Sequence, residues 1–196
     1  MKHKIAGLLS ACTILTLGAG SALADYDLRI LHTNDVHDRV ESVTKYNNTC
    51  SVEDDADGKC FGGYARLATA IRDAKAQGGN VLALDGGDQF QGSLYYSTYR
   101  GQLTAQLMTM AGYDAMTIGN HEFDDGPEVL EAFIKASTVP VLSANVHPTA
   151  ASSLDGEIKP DIIIELGGEK IGLIGITTEE TPWHVCALRG SIKSSS

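Results

Sequence analysis

The chain has 196 residues, of which 43% are hydrophobic, and a formal net charge of −10, proportions that suit a single packed domain. Its 25 acidic residues against 15 basic ones exclude nucleic acid and anionic membrane as general partners. They also leave few lysines to neutralise an anionic substrate, so another source of positive charge is expected if the substrate carries phosphate.

Residues 1–24 read as a signal peptide. They carry the basic start Lys2-His3-Lys4, an apolar and small-residue run from Ile5 to Gly20, and the cleavage string Ala22-Leu23-Ala24. The run is short and interrupted by glycine, so no stable membrane anchor is expected. Leu9-Ser10-Ala11-Cys12 also fits a lipidation signal, but few apolar residues precede Cys12, and ordinary export to a periplasmic or secreted location is the expectation.

Leu28 to His32 is a short strand that runs into Thr33-Asn34-Asp35-Val36-His37-Asp38. Extended backbone sends residues two apart to the same side, so Asp35 and His37 face one point. A carboxylate and an imidazole so placed suit a metal ion. Arg39 to Phe61 is a polar, acid-rich excursion holding Cys50 and Cys60, a candidate disulfide pair in an exported chain, with Cys186 left odd. Glu53-Asp54-Asp55-Ala56-Asp57-Gly58 looks like half of an EF-hand loop. Tyr64 stands where the bidentate glutamate belongs, however, and no helix pattern precedes the loop, so it reads as a solvated acidic segment.

Gly62 to Gln77 has Leu67, Ala70, Ile71 and Ala74 at helical spacing and ends at Gly78-Gly79. Asn80 to Leu84 is a buried strand that ends in Asp85-Gly86-Gly87-Asp88, with Asp88 emerging from the turn and Asp85 expected as a structural carboxylate. Gln89 to Ser93 then crosses the face of the site. Leu103, Leu107, Met110 and Ala111 mark a second helix closed by Gly112, with Met108 and Met110 read as core fillers. Asp114 to Ile118 is a strand that leads into Gly119-Asn120-His121-Glu122-Phe123-Asp124. A third helix follows from Pro127 to Lys135, with Val129, Leu130 and Phe133 inward. Val139 to Asn145 is a further strand, and Asp161–Leu166 with Lys170–Thr177 form a hairpin across Gly167-Gly168. His32, His147 and His184 match no ligand pattern. The alternation of strand and helix predicts an α/β fold with a largely parallel sheet.

Three strand ends therefore deliver Asp35 with His37, then Asp88, then Asn120 with His121 and Asp124. Two carboxylates about 4 Å apart repel by about 4 kcal/mol at an effective dielectric of 20. A divalent cation turns that repulsion into ligation, and a carboxylate shared by two ions holds them at the ~3.5–4 Å spacing used for displacement at phosphorus.

The strings T-N-D-V-H, L-D-G-G-D-Q-F-Q-G and G-N-H-E-F-D, in this order, resemble the first three motifs of the calcineurin-like metallophosphoesterases. More narrowly they are similar to those of the secreted 5'-nucleotidases. The likeness runs from about Leu28 through Thr181 and includes F-G-G-Y-A-R-L, L-S-A-N and G-I-T-T-E-E-T-P. It implies a partial metallophosphoesterase fold: the first β-sheet with flanking helices of a four-layer αββα sandwich, the second sheet largely absent. It implies that Asp35 and His37 bind a first metal, that Asp88 bridges, and that Asn120 binds a second. His121 and Asp124 would form a dyad that stabilises the transition state. The cofactors implied are two divalent ions of the Zn, Mn, Mg or Co type, and the implied substrate is a nucleotide that loses phosphate. The Cys50–Cys60 loop resembles a disulfide-closed insertion of the ecto-5'-nucleotidase branch. Nucleotide-sugar or 2',3'-cyclic-nucleotide hydrolysis is the alternative within the superfamily, and a non-catalytic fragment is the alternative outside it.

The family draws further histidine ligands from later G-H strings, and here no histidine follows His184. The second metal site is therefore expected to be incomplete. Residues 25–182 are read as the N-terminal part of the phosphoesterase domain and residues 183–196 as a divergent tail. The chain is expected to be truncated and to have little activity; its oligomeric state has no signal in the sequence.

Overall fold

The computed structural model describes residues 25–181 and the backbone of residues 192–193. The chain opens with β1 (Leu28–Thr33), and the excursion after it holds the two-residue strands β2 (Val43–Thr44) and β3 (Cys60–Phe61) on either side of α1 (Val52–Ala56). Then come α2 (Tyr64–Ala76), β4 (Asn80–Asp85), α3 (Leu94–Tyr99), α4 (Gln102–Ala111), β5 (Ala115–Thr117) and a one-turn 3-10 helix at His121–Phe123. The remainder is α5 (Pro127–Ala136), β6 (Val141–Leu142), β7 (His147–Pro148), β8 (Asp161–Leu166), β9 (Glu169–Ile174) and β10 (Ile192–Lys193), which pairs with β7. The readings of residues 1–24 and of Cys186 lie outside the described residues, as does most of residues 183–196.

The main sheet has the order β1-β4-β5-β6, and every pairing in it is parallel. Its register sets Thr33 beside Asp85 and Asp85 beside Met116, so β1, β4 and β5 finish at one edge. In a parallel sheet all three following loops then emerge on that same side, where ligands bind. The parallel α/β fold expected from the alternation is the one observed, with the helices joining strands of this sheet.

The core lies between one face of the sheet and helices α2, α4 and α5. Ala83 and Met116 face it from the strands, Ala105, Met108 and Ala111 from α4, and Leu130 and Phe133 from α5. Phe90 crosses beneath the site, with its ring 5.2 Å from Phe133 in an edge-on contact and 5.0 Å from Tyr96. Ile30 is exposed on β1, and Ile163 on β8 and Ile174 at the end of β9 are exposed on a separate two-stranded sheet. β8 and β9 form the expected antiparallel hairpin, and Leu173 and Ile174 of β9 line a small cavity with Leu84, Ala115, Met116 and Leu142 of the main sheet.

Several elements differ from the sequence reading. The buried face of α4 is Thr104, Ala105, Met108 and Ala111, whereas Met110 is 79% exposed. Met108 is core filler, and Met110 is not. The strand expected over Val139–Asn145 is only Val141–Leu142, because Ser143 and Asn145 turn their side chains to Thr177. Helix α3 has no apolar periodicity to announce it; Ser93 starts it by accepting from the backbone N–H of Tyr95 and Tyr96. The acidic excursion is not all loop, since Ser51 caps α1 by accepting from Asp54 N at 3.0 Å. Cys50 and Cys60 are joined by a disulfide, with Cα atoms 5.9 Å apart.

Candidate metal centre

The loop after β1 leaves regular structure at once. Asp35, His37 and Asp38 hold φ angles of 52°, 50° and 51°, and Asp88 on the β4 loop holds 56°. Such left-handed backbone costs a residue with a Cβ about 1 kcal/mol or more, so something must hold it. Cross-loop hydrogen bonds do. Asp35 N donates to Gly87 O at 3.0 Å, and His37 N donates to Asp88 O at 3.0 Å. Asp35 and His37 do converge, with a carboxylate oxygen 3.7 Å from His37 Nε2. The cause is this pair of left-handed turns and not the extended alternation read from the sequence.

His37 Nδ1 lies 3.0 Å from Phe90 O. A carbonyl can only accept, so Nδ1 carries the proton and Nε2 is left as a lone-pair donor. Asp88 enters from the β4 loop, where its Oδ1 accepts from His121 N at 3.0 Å. The two loops meet backbone to backbone. A Cβ on Gly87 would collide with Gly119, and one on Gly119 would strike the Asp88 carboxylate. Only glycine allows this approach.

Asn120 begins the 3-10 turn, and among the described residues its carboxamide has no hydrogen-bond partner. His121 follows, with Nδ1 2.6 Å from Asp124 Oδ2. Burial of the ring works against its protonation, but the hydrogen bond and charge of Asp124, with Asp88 and Glu122 behind it, raise the His121 pKa above 6.5. The rings of His37 and His121 stand 5.1 Å apart, nearly edge-on.

His37, Asp88 and His121 each bring one ligating atom within 4.8 Å of the other two. Two imidazoles and a carboxylate are a donor set for a divalent cation of borderline softness. The surroundings agree, because the carboxyl groups of Asp35 and Asp124 lie against His37 and His121. The residues present fit a divalent metal.

A family model described as calcineurin-like phosphoesterase matches residues 28–185. The chain belongs to the calcineurin-like phosphoesterase family. A snake venom 5'-nucleotidase from Gloydius brevicauda is 44% identical to this family member over 181 residues, covering 91% of this chain and 29% of that protein. The 5'-nucleotidase of Bos taurus is 40% identical over 178 residues, covering 88% of this chain and 30% of its own length. Among solved structures, the 5'-nucleotidase precursor of Thermus thermophilus matches with a TM-score of 0.68 at 38% identity, over 79% of this chain and 29% of that one. The chain therefore spans under a third of the length of each of these three relatives.

Two buried carboxyl groups support the three loops from beneath. Asp85 accepts from Thr33 Oγ1 at 2.5 Å, Gln89 Nε2 at 2.8 Å and Gly87 N at 2.9 Å, so it is structural, as its place in the strand suggested. Burial raises its pKa, and these donors pull it back. Glu122 went unread in the sequence. It is 0% exposed and accepts four backbone N–H groups, from Asp88, Gln89, Phe90 and Gly119. Burial pushes its carboxyl up to about 7 against the pull of those donors. The only signal in the sequence was a glutamate wedged between His121 and Phe123 with no ligand role of its own.

Proposed function

We propose that this chain carries the N-terminal, metal-binding part of a 5'-nucleotidase-type phosphomonoester hydrolase that acts on nucleotides. The observation that carries the reading is the convergence of His37, Asp88 and His121 from three strand ends of one parallel sheet, with Asp124 behind His121. The 5'-nucleotidase relatives support the choice of nucleotide as substrate.

In this reading Asp35, His37 and Asp88 would hold a first divalent ion, and Asp88 with Asn120 would contribute to a second. Bound cations of this kind supply Lewis acidity toward phosphoryl oxygens and activate water for in-line attack. The chain's own part is orientation and charge. Phe90 O fixes the His37 tautomer, and His121 N fixes the Asp88 carboxylate. Because His121 Nδ1 is taken by Asp124, Nε2 is the ring atom it would offer to the centre. When protonated, that atom would donate to a phosphoryl oxygen as negative charge builds there. Asp124 keeps Nδ1 protonated and the ring turned inward.

Among the described residues the second ion would take Asp88 and Asn120 alone, so we expect little hydrolysis. Export to a periplasmic or secreted location belongs to the same reading, in line with the venom relatives. The test is calorimetric titration with Mn²⁺ together with phosphate release from AMP. Wild type is expected to bind Mn²⁺ and Asp88→Ala to lose that binding. Any slow AMP hydrolysis is expected to vanish in His121→Ala. Equal Mn²⁺ binding by wild type and Asp88→Ala would overturn the reading.

A further inference from the structure

The hydrogen bonds of Glu122 all come from backbone N–H groups, and they join the two loops that bear Asp88 and His121. Its Oε2 accepts from Gly119 N at 2.6 Å and Asp88 N at 3.0 Å, and its Oε1 accepts from Gln89 N at 2.7 Å and Phe90 N at 3.2 Å. Gly119 belongs to the β5 loop; the other three belong to the β4 loop. Each oxygen takes two N–H groups, a load that suits an acceptor-only carboxylate and no carboxamide.

The same short segment is gripped from its other side by the third loop. Asp88 O accepts from His37 N, and Phe90 O lies 3.0 Å from His37 Nδ1. Residues 88–90 thus present their N–H groups to Glu122, while the carbonyls of Asp88 and Phe90 face His37. Moving Glu122 moves that segment, and with it both the Asp88 carboxylate and the acceptor that orients His37. His121 is tied in as well, since it is the adjacent residue in the chain and its N–H rests on Asp88 Oδ1.

We infer that Glu122 is the positioning residue of the centre: it sets the mutual spacing of His37, Asp88 and His121 and so the affinity for a divalent cation. This rests on reading the three as a metal centre. Groups that orient ligands without touching the ion are worth about 10–100-fold in metal affinity.

The experiment is Mn²⁺ titration calorimetry on the full chain, comparing wild type, Glu122→Gln and Ile71→Ala. Ile71 is a buried α2 residue that serves as a control for lost stability. Glu122→Gln sets an NH₂ group against two backbone donors without changing side-chain size. It is expected to weaken Mn²⁺ binding by about 10–100-fold, whereas folded Ile71→Ala keeps wild-type affinity. Equal affinity in wild type and Glu122→Gln overturns this inference alone. No Mn²⁺ binding by wild type overturns it together with the metal centre. If Glu122→Gln fails to fold, amide hydrogen exchange on wild type decides. Mn²⁺ should slow exchange at Asp88, Gln89, Phe90 and Gly119 more than along α2, and equal protection in both regions overturns the inference.

Discussion

The imidazole of His121 and the carboxylate of Asp124 meet at 2.6 Å across a single 3-10 turn. In the metal-free chain this contact holds the His121 pKa above 6.5. The pair therefore stabilises the fold fully below pH 6.5, and that contribution is lost as the pH rises through the folded-state pKa. Asp124→Asn should lower the His121 pKa and flatten this part of the stability profile. NMR titration of the ring protons checks the first and thermal unfolding across the pH range checks the second; an unmoved pKa would refute the coupling.

Gly87→Ala should damage the site more than its small size suggests. The new methyl would meet the Gly119 backbone and would sit on a residue with φ of 93°. The left-handed backbone alone costs roughly 1 kcal/mol or more. Separation of the two loops should add a loss of Mn²⁺ binding beyond the loss of stability. Calorimetry on the folded variant measures this, and retained affinity would show that the loops tolerate the extra spacing.

Asp125 supplies a second pH-dependent contact, away from the ligands. Tyr96 donates to it at 2.6 Å and Arg100 pairs with it, and these partners hold its carboxyl below 3.8. Burial, and then the same contact, push the Tyr96 hydroxyl far above its ordinary range. The Asp125 contribution is present above pH 3.8 and is lost as the pH falls through the lowered pKa. Asp125→Asn should therefore lower the melting temperature at neutral pH and match wild type in strong acid. A constant difference across that range would refute it.

Reduction of the Cys50–Cys60 bridge should cost about 2–3 kcal/mol in the chain-entropy model, which considers only loop closure. Denaturant unfolding of the Cys50→Ser/Cys60→Ser variant measures the loss. Non-reducing peptide mapping should recover the linked pair.

Where the sequence was legible, one local signal sufficed. Apolar runs ending in Asp85-Gly86-Gly87-Asp88 and in Gly119-Asn120-His121 marked strand ends, and the parallel sheet brought those ends to one edge. Asp85 was readable as structural because it lies within the strand. Glu122 was not, because its partners are backbone N–H groups, three of the four lying 32 to 34 residues away, and these leave no side-chain pattern. Met110 misled for a related reason. Leu103, Leu107 and Met110 fit a helical stripe as well as Thr104, Ala105 and Met108 do, and only the packing of α4 decides between them. The convergence of Asp35 and His37 was foreseen through the wrong backbone, since nothing in T-N-D-V-H announces two left-handed residues.

That backbone also restricts which amino acids can occupy the centre. At φ near 50–56°, residues 35, 37 and 88 lie in a region where short polar side chains and glycine are common and longer or branched ones are scarce. Glutamate would match aspartate in charge and in donor atoms, but it pairs that chemistry with a backbone it seldom adopts. For the proposed ligands the choice of side chain is thus narrowed twice, once by coordination and once by torsion. A saturation library at Asp88 screened for Mn²⁺ retention should be enriched in asparagine and depleted of glutamate, although glutamate is the closer chemical substitute.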